Sequence, residues 1–413
     1  MRKYFSLEKT TYYCLFLAVI FLPLKTSFSN LWVIILICIS VGSLLTGKRI
    51  NRVLIQRPIL FLGSTVVLFL PFIIGTLYSP YLDKAMLQIG KCIFYLLLPI
   101  LLLRTDISKI KTLEWATKGL VFGSGISMLY LLSINTYRFI YANLPLLKLL
   151  SYDYVGMKFI EPLGSMHPIY LGSYFLLMLT LLWRTTYNLK KGVKIGLTML
   201  VALSLLFLNS RVIFFIGILL LIFSAFKYLS VQKSMIALGI ILLFTLFGSF
   251  FLKNTYVYNK LVNGTRWELN DNVASTNTSS NITADSRMSR WLVSINLIEQ
   301  RPIFGYGCGS ARLLLNQEYK VRAMRTSLSN KYDSHNQYLG YSIEFGLFGL
   351  SFLLIYIGFN LYLSFRIDDF QLTAFIIIIA IICLFENYLI RNMGINFVAL
   401  FGTIFLINNN KND

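Results

Sequence analysis

Residues 195–226 read IGLTMLVALSLLFLNSRVIFFIGILLLIFSAF, two long apolar runs separated only by Asn209, Ser210 and Arg211. A helix of about 20 apolar residues is long enough to cross the ~30 Å hydrocarbon core of a bilayer. We therefore interpret this stretch as two membrane-spanning helices joined by a very tight turn.

Apolar runs of this kind occupy most of the chain. Apolar residues make up 56% of the 413 residues, and charged residues make up only 13%. This composition predicts an all-α polytopic membrane protein with about 12 transmembrane helices. We expect no removable signal peptide, because no small-residue cleavage site follows the first span. The predicted spans are roughly 11–29, 31–46, 59–78, 85–103, 115–134, 165–183, 194–209, 211–229, 234–252, 339–363, 370–389 and 394–408.

The basic residues indicate how the chain is oriented. If the N-terminus is cytoplasmic, Lys and Arg concentrate in the inner connections, and the short outer connections hold far fewer. This is the positive-inside distribution. Most of the net charge of +21 then lies beside anionic lipid, so we interpret it as topological and expect no nucleic-acid partner. The inner residues include Arg2, Lys48, Arg104 and Lys190.

One long connection, residues 253–338, is the only sizeable segment predicted to leave the membrane. We expect it on the outer side, with residues 1–252 forming the first nine spans and residues 339–413 the last three. Its centre, NDNVASTNTSSNITAD, is polar and predicts a mobile loop. The five cysteines include no CxxC motif and predict neither a metal site nor a redox site.

Arg211 is an ionisable residue at the membrane boundary, where such residues are informative. It lies in the tight outer turn, against the positive-inside bias. One interpretation is an arginine that extends its side chain to lipid phosphates. The other is a bidentate site for a phosphate group that arrives from the bilayer. The position alone leaves both interpretations open.

The stretch of the outer loop between Asp285 and Pro302, which ends helices, predicts one amphipathic helix. Asp285 and Ser286 are candidate helix caps. The glycines in GYGCGS at 305–310 predict a tight turn that returns the chain towards the membrane. The apolar residues of the helix are Trp291, Leu292, Ile295, Leu297 and Ile298.

Two arginines, Arg287 and Arg290, lie at the start of this helix. The helix dipole opposes positive charge there, so the placement loses stabilisation. Solvation of the two side chains is one explanation. The other is an anion held between the helix amides and the guanidinium groups.

His335 is one of only two histidines in the chain. The letters SHNQ at 334–337 fit a Ser-x-x-Gln capping box at the start of the tenth span. His335 would then lie in the first helical turn, where the dipole disfavours the protonated ring. A neutral ring accepts a proton from an attacking hydroxyl, whereas a histidine of the capping segment alone does no chemistry. Both interpretations stay open.

Three further ionisable residues lie near the outer boundary. His167 starts the sixth span from the outside, and Glu386 and Arg391 flank the outer end of the eleventh. For all three we favour structural roles, with Glu386 and Arg391 forming an ion pair.

Three short motifs, all on the predicted outer side, occur in an order that resembles a known family. NSR at 209–211 looks like a Ser/Thr-Arg turn. SRMSRW at 286–291, followed by RPIFGYG at 301–307, looks like an Arg-x-x-x-aromatic helix leading to a glycine turn. HNQYL at 335–339 looks like a His-Asn-x-aromatic-Leu element. Over nearly its whole length the chain resembles the O-antigen ligase and O-antigen polymerase superfamily, membrane glycosyltransferases of the GT-C class.

The resemblance implies roles for individual residues. Arg211 and Arg287 would hold the diphosphate of an undecaprenyl-diphosphate-linked glycan, and His335 would activate or orient the acceptor hydroxyl. Arg290 has no firm counterpart in the family pattern. The family is described as metal-independent and inverting, which implies no cofactor. The candidate supporting residues are Arg290, Asn336, His167, Glu386 and Arg391.

The residue types agree with a reaction that uses no metal. The acids of the outer loop are scattered, without the paired motif expected of a Mg²⁺ or Mn²⁺ site. Two arginines would instead offset the charge that develops on the departing diphosphate.

These observations predict a glycosyltransferase of the bacterial inner membrane with its active site facing the periplasm. A ligase uses lipid A–core as acceptor, and a polymerase of surface polysaccharide uses another lipid-linked repeat unit. The resemblance favours the ligase; protein-directed glycan transfer is a third alternative. A flippase would need polar groups near the membrane midplane, and a non-catalytic scaffold would tolerate His335→Ala.

Overall fold

A computed structural model of the protein describes residues 7–45, 60–103, 109–164, 166–184, 189–253, 255–271 and 285–409. Every regular element in these residues is helical, as predicted. The polar loop centre 272–284 and the basic residues Arg2, Lys48 and Arg104 lie outside the described residues.

The α-helices are numbered here in chain order over the described residues. They are α1 Leu7–Ile20, α2 Thr26–Leu45, α3 Leu60–Gly63, α4 Val66–Leu77, α5 Leu82–Cys92, α6 Phe94–Leu102, α7 Lys109–Tyr141, α8 Met157–Ile160, α9 Pro168–Arg184, α10 Lys191–Leu208, α11 Arg211–Tyr228, α12 Val231–Leu252, α13 Tyr256–Leu261, α14 Asn263–Leu269, α15 Arg287–Gln300, α16 Ala311–Val321, α17 Arg325–Ser329, α18 Gln337–Arg366, α19 Phe370–Cys383 and α20 Asn392–Asn409. Short 3₁₀ turns cover Leu146–Leu150, Tyr152–Tyr154, Glu161–Leu163 and Tyr388–Ile390.

Within the described residues, 6 helices are long and apolar enough to cross a membrane. This agrees with a helical multi-pass membrane protein. The count of twelve spans and the outer location of residues 253–338 stay predictions. The six segments are Thr26–Leu45, Leu82–Leu102, Lys111–Tyr141, Lys191–Leu208, Arg211–Tyr228 and Gln337–Arg366.

The two-helix interpretation of residues 195–226 is confirmed at the level of helices. Helix α10 ends at Leu208, and α11 begins at Arg211. Asn209 adopts a left-handed conformation with φ 44°, which ends α10 and leaves only Asn209 and Ser210 between the two helices. The first two predicted spans, in contrast, had a wrong boundary. Their helices are separated at residues 21–25 rather than near residue 30, because Pro23 has no backbone N–H and cannot continue a helix.

The chain forms two compact units. Unit 1 contains Met1–Leu22, Thr26–Leu120 and Glu268–Asp413, and unit 2 contains Pro23–Lys25 and Val121–Trp267. Each is described by itself below.

Helix α18 is the central element of unit 1 and packs against α3, α4, α15 and α19. Its first half carries Tyr341 and Phe345, both buried, whose rings meet Phe72 of α4 edge to face. Such pairs add favourable ring electrostatics to the burial of apolar area. Helix α15, which packs on α18, is thereby attached to this buried cluster of rings.

Helix α18 is interrupted at Gly346, which has φ 62° and ψ −160°. The chain at residues 302–308 fills the interruption. Leu347 donates its backbone N–H to the Pro302 carbonyl oxygen at 2.7 Å, and Gly307 donates to the Glu344 carbonyl oxygen at 2.8 Å. A Cβ atom at Gly307 would lie 2.6 Å from the backbone of Ser79, so only glycine fits this close approach. The predicted tight turn is confirmed.

Helices α15, α16 and α17 share a small core with the start of α18. The predicted apolar face of α15 was partly wrong, because Leu292 and Ile295 are 38% and 41% exposed. The buried face instead includes Arg290 and Ser294, polar residues that an apolar pattern does not reveal. The shared core is Val293, Leu297, Leu315, Tyr319, Met324 and Ile343.

Candidate active site

Three segments of unit 1 meet at His335: the first turns of α15, the loop 332–336, and the connection 384–391 between α19 and α20. The Trp291 indole N–H donates to the Ser334 carbonyl oxygen at 3.1 Å. The Leu389 backbone N–H donates to Oε1 of Gln337 at 2.8 Å. These hydrogen bonds hold the histidine loop from both sides.

His335 precedes helix α18 instead of lying in its first turn, so the predicted capping box is wrong. Asn336 is the N-cap, and its side-chain oxygen accepts from the Leu339 N–H at 3.2 Å. His335 has φ 47°, a left-handed conformation uncommon for a residue with a Cβ atom. The Gln337 side chain, which a capping box needs, accepts from Leu389 instead.

The ring of His335 lies against two carboxylates. Its Nδ1 is 3.3 Å from Oε2 of Glu386 and 3.8 Å from Oδ1 of Asp333. Both acids are buried, and the histidine side chain is 22% exposed. Because an ionised carboxylate only accepts hydrogen bonds, the contact favours a proton on Nδ1. In the neutral ring Nε2 then carries the free lone pair.

Asp333 is held by groups that stabilise its charge. Its Oδ1 accepts the His335 backbone N–H at 3.0 Å, and its Oδ2 accepts from Nη2 of Arg391 at 2.7 Å. Burial alone would raise the pKa of the Asp333 carboxyl, but His335 and Arg391 outweigh burial and hold that pKa below its ordinary value. Glu386 and Arg391, expected to pair with each other, thus both reach the His335 loop.

Ligand atoms of Asp333, His335 and Glu386 all lie within 4.8 Å of one another, a spacing at which three side chains can share a metal ion. One oxygen of Asp333 is already bonded to the guanidinium of Arg391. A cation at this cluster would therefore lie near a fixed positive charge.

A second carboxylate lies at the start of helix α15. Ser286 is the N-cap, with its hydroxyl oxygen accepting from the Ser289 N–H at 3.1 Å. Oε2 of Glu268 accepts the Arg287 backbone N–H at 3.0 Å and lies 3.6 Å from Nε of Arg287. The same oxygen is 3.8 Å from Nη2 of Arg290. A helix N-terminus and two guanidinium groups thus converge on one anion.

Arg290 is the interior arginine of this pair and is 4% exposed. Its Nη1 donates to the Asp285 carbonyl oxygen at 2.7 Å, and its guanidinium lies 5.2 Å from the centre of the Tyr332 ring. Burial lowers the pKa of the Arg290 guanidinium, and Glu268 opposes that shift. The Tyr332 ring in turn contacts His335, with 5.4 Å between ring centres. Arg290 therefore supports the histidine loop from inside the fold.

Arg211 and His167 lie in unit 2. Arg211 is the first residue of α11, and its Nη1 donates to Oγ1 of Thr265 at 3.1 Å. The amide of Asn209 is fully buried without a hydrogen-bond partner among the described residues. Nδ1 of His167 accepts the Ile169 N–H at 3.3 Å, a capping contact at the start of α9. The structure thus brings His335, Arg287, Arg290, Asn336, Glu386 and Arg391 into unit 1, and the role of Arg211 stays a prediction.

The model of a protein family described as O-Antigen ligase matches residues 196–354 of the chain. The predicted resemblance to the O-antigen ligase and polymerase superfamily is confirmed. The matched segment includes Arg211, Arg287 and His335, whereas Glu386 and Arg391 lie beyond it. The match to this family indicates a glycosyltransferase-like activity of the ligase or polymerase type on lipid-linked glycans. Among the curated proteins, none matches the chain.

Three residues of the candidate site were missed as functional candidates: Glu268, Tyr332 and Asp333. Asp333 stands two residues before His335, and this proximity was the one available signal. Glu268 lies 19 residues before Arg287, so nothing local links the two.

Proposed function

We propose that the protein moves a glycan from undecaprenyl diphosphate to a hydroxyl acceptor at the periplasmic face of the inner membrane. The observation that carries this proposal is the ring of His335, backed by buried Glu386 and set beside the basic start of α15. A base and a cationic anion-binding site are the two groups that glycosyl transfer from a lipid diphosphate needs.

In the proposed reaction, the acceptor oxygen attacks the anomeric carbon of the donor sugar. The new C–O bond forms as the bond to the diphosphate oxygen breaks, and this electron pair leaves with undecaprenyl diphosphate. The hydroxyl proton moves to Nε2 of His335. A single displacement of this kind inverts the anomeric configuration. The lipid diphosphate is already an activated leaving group, so no nucleotide is consumed.

Arg287 is proposed to bind the departing diphosphate. The resemblance to the family implies the same role for Arg211. The backbone N–H of Arg287, already hydrogen-bonded to the Glu268 carboxylate, has the geometry that a phosphate oxygen requires. Glu268 would leave when the diphosphate enters. Arg290 is too buried to reach substrate, and we assign it, Asn336 and His167 structural roles.

Reconstitution tests the proposal. Purified protein in liposomes receives lipid-linked glycan and an acceptor, without ATP or divalent metal, and released undecaprenyl diphosphate is measured. We expect His335→Ala to lower the rate by about 10² to 10⁴. His167→Ala is the matched control and should retain turnover. Equal turnover of wild type and His335→Ala would show that the histidine is not the base.

The acceptor is decided in the same assay. The resemblance favours lipid A–core, which makes the protein a ligase of lipopolysaccharide biosynthesis. Transfer to a second lipid-linked repeat unit instead would make it a polymerase. Running both acceptors in parallel separates these two outcomes without changing the donor chemistry.

The location of the outer loop needs its own test. Ser329 is exposed at the end of α17, whereas Cys14, Cys92, Cys308 and Cys383 are buried. We expect Ser329→Cys in intact spheroplasts to react with a membrane-impermeant maleimide, beyond the labelling of the wild-type chain. Labelling only after the membrane is broken would place this loop in the cytoplasm.

A further inference from the structure

We propose that Glu386 is a positioning residue that fixes the tautomer of His335, and that Asp333, held by Arg391, fixes its backbone. This inference rests on the proposed function for its catalytic meaning, but the tautomer itself is a property of the resting protein.

The contact between the two side chains is built by the fold. Glu386 lies three residues after the last residue of α19, Cys383, and its backbone N–H donates to the Ile382 carbonyl oxygen at 2.9 Å. Its own carbonyl oxygen accepts from Tyr388 at 2.8 Å. The main chain of Glu386 is therefore anchored by hydrogen bonds on both sides, and its buried carboxylate lies 3.3 Å from Nδ1 of the ring. A buried, anchored carboxylate sets the orientation of a ring more strictly than a mobile surface one.

A carboxylate does something at this position that an amide does not. It accepts from Nδ1–H, which leaves Nε2 as the acceptor for a substrate proton. Glutamine presents either an oxygen or an NH₂ group to Nδ1, and the NH₂ group would favour the opposite tautomer, with the proton on Nε2. The negative charge of Glu386 also stabilises the imidazolium that forms when the ring takes the proton.

Asp333 acts on the main chain of the same residue. Its Oδ1 accepts the backbone N–H of His335, and its Oδ2 is bonded to Arg391 across 58 residues of sequence. The left-handed conformation of His335 is costly for a residue with a Cβ atom and persists only when its surroundings hold it. The charged groups nearest the ring are thus Asp333 and Glu386, and Arg391 is bonded to Asp333. The Tyr332 ring meets the His335 ring edge to face, and Arg290 lies over the Tyr332 ring.

The first arm of the test reads the tautomer directly. The chain has 2 histidines, so ¹⁵N-histidine labelling gives few ring signals, and His167→Gln assigns those of His335. For the neutral ring, we expect the wild-type spectrum to show a protonated Nδ1 and a free Nε2. Glu386→Gln should shift that balance towards a protonated Nε2. A wild-type ring with its proton on Nε2 overturns the inference.

The second arm is kinetic and uses Glu386→Gln, Glu386→Asp and the control Glu318→Gln. Glu318 pairs with Arg322 on the surface of α16, away from the histidine loop. We expect Glu386→Gln to lower kcat about 100-fold or more with an unchanged KM for the donor. Glu386→Asp should regain part of that loss, and Glu318→Gln should match wild type.

Two results separate this inference from the proposed function. If His335→Ala turns over substrate at the wild-type rate, the ring has no catalytic role. The tautomer measurement on the wild-type protein still tests the contact between Glu386 and His335. A Glu386→Gln protein with wild-type kcat, while His335→Ala is inactive, overturns the positioning role alone. If Glu386→Gln does not fold, Glu386→Asp and the ¹⁵N spectrum of wild type decide.

Discussion

The indole of Trp291 donates a hydrogen bond to the carbonyl oxygen of Ser334, 43 residues further along the chain. This contact joins the helix that begins with Arg287 to the loop that carries His335. Arg287 lies four residues before Trp291, one helical turn away on the same side of α15. The proposed anion-binding group and the proposed base are therefore held by one hydrogen-bonded junction.

Breaking this junction should impair catalysis more than folding. Trp291→Phe keeps an aromatic ring against Phe385 but removes the N–H donor. We expect the transition state to lose about 1 kcal/mol of stabilisation, which lowers kcat roughly fivefold. The melting temperature should change little. Trp183→Phe removes the indole donor to Thr198 in unit 2 and is the matched control. Equal effects of the two variants on kcat would contradict a special role for the Trp291 contact.

The two arginines of α15 should separate function from stability. Arg287→Ala removes a proposed contact to the leaving diphosphate and should cost about 3 kcal/mol, around a hundredfold in rate. Its melting temperature should stay near that of wild type, because the side chain is partly exposed. Arg290→Ala should lower the melting temperature, since it leaves buried polar partners unpaired at a cost of about 1–3 kcal/mol. If Arg290→Ala instead lowers the rate and Arg287→Ala lowers the melting temperature, Arg290 is the diphosphate ligand and Arg287 is the structural residue.

Glu268 is predicted to compete with the donor for Arg287. Glu268→Gln keeps the size of the side chain and removes its charge, so a diphosphate would no longer displace an anion. We expect a lower KM for the lipid-linked donor and stronger inhibition by free pyrophosphate. Glu299→Gln, at the exposed end of the helix that begins with Arg287, is the control. A raised KM would mean that Glu268 orders the arginine for substrate instead of competing with substrate.

Asp333 should make the fold sensitive to acid. Its pKa is below the ordinary value of 3.8, so the ionised carboxylate stabilises the folded state at higher pH. This contribution is fully present above the unfolded pKa and is lost as pH falls through the lowered folded pKa. The melting temperature of Asp333→Asn should therefore fall less than that of wild type between about pH 7 and about pH 3. Asp153→Asn, at an exposed position, should behave like wild type.

The Asp333, His335 and Glu386 cluster allows a direct test for metal. Because Arg391 is bonded to Asp333, we expect turnover to survive exhaustive treatment with EDTA. We also expect Zn²⁺ to inhibit, since binding to His335 would occupy the proposed base. Turnover that EDTA abolishes and a divalent ion restores would assign the three residues to a metal site.

Part of this arrangement is encoded locally. The apolar runs around NSR fix two helices and the turn between them, and Ser286 caps α15 where the sequence predicts it. The glycines at 305, 307 and 309 all have positive φ, as a tight turn requires. Signals of this kind depend on residues a few positions apart, so periodicity, caps and turn chemistry reveal them.

The partners of His335 are not encoded in that way. Glu386 is 51 residues from His335, and the contact exists because α18 and α19 pack side by side. The sequence by itself determined that the protein is apolar and helical, with a basic helix start and one histidine near the start of a long helix. Only the tertiary structure decided that this histidine precedes the helix and that two buried acids face its ring. Hydrophobic pattern fixes which segments form helices, whereas the pairing of distant polar groups depends on how those helices pack.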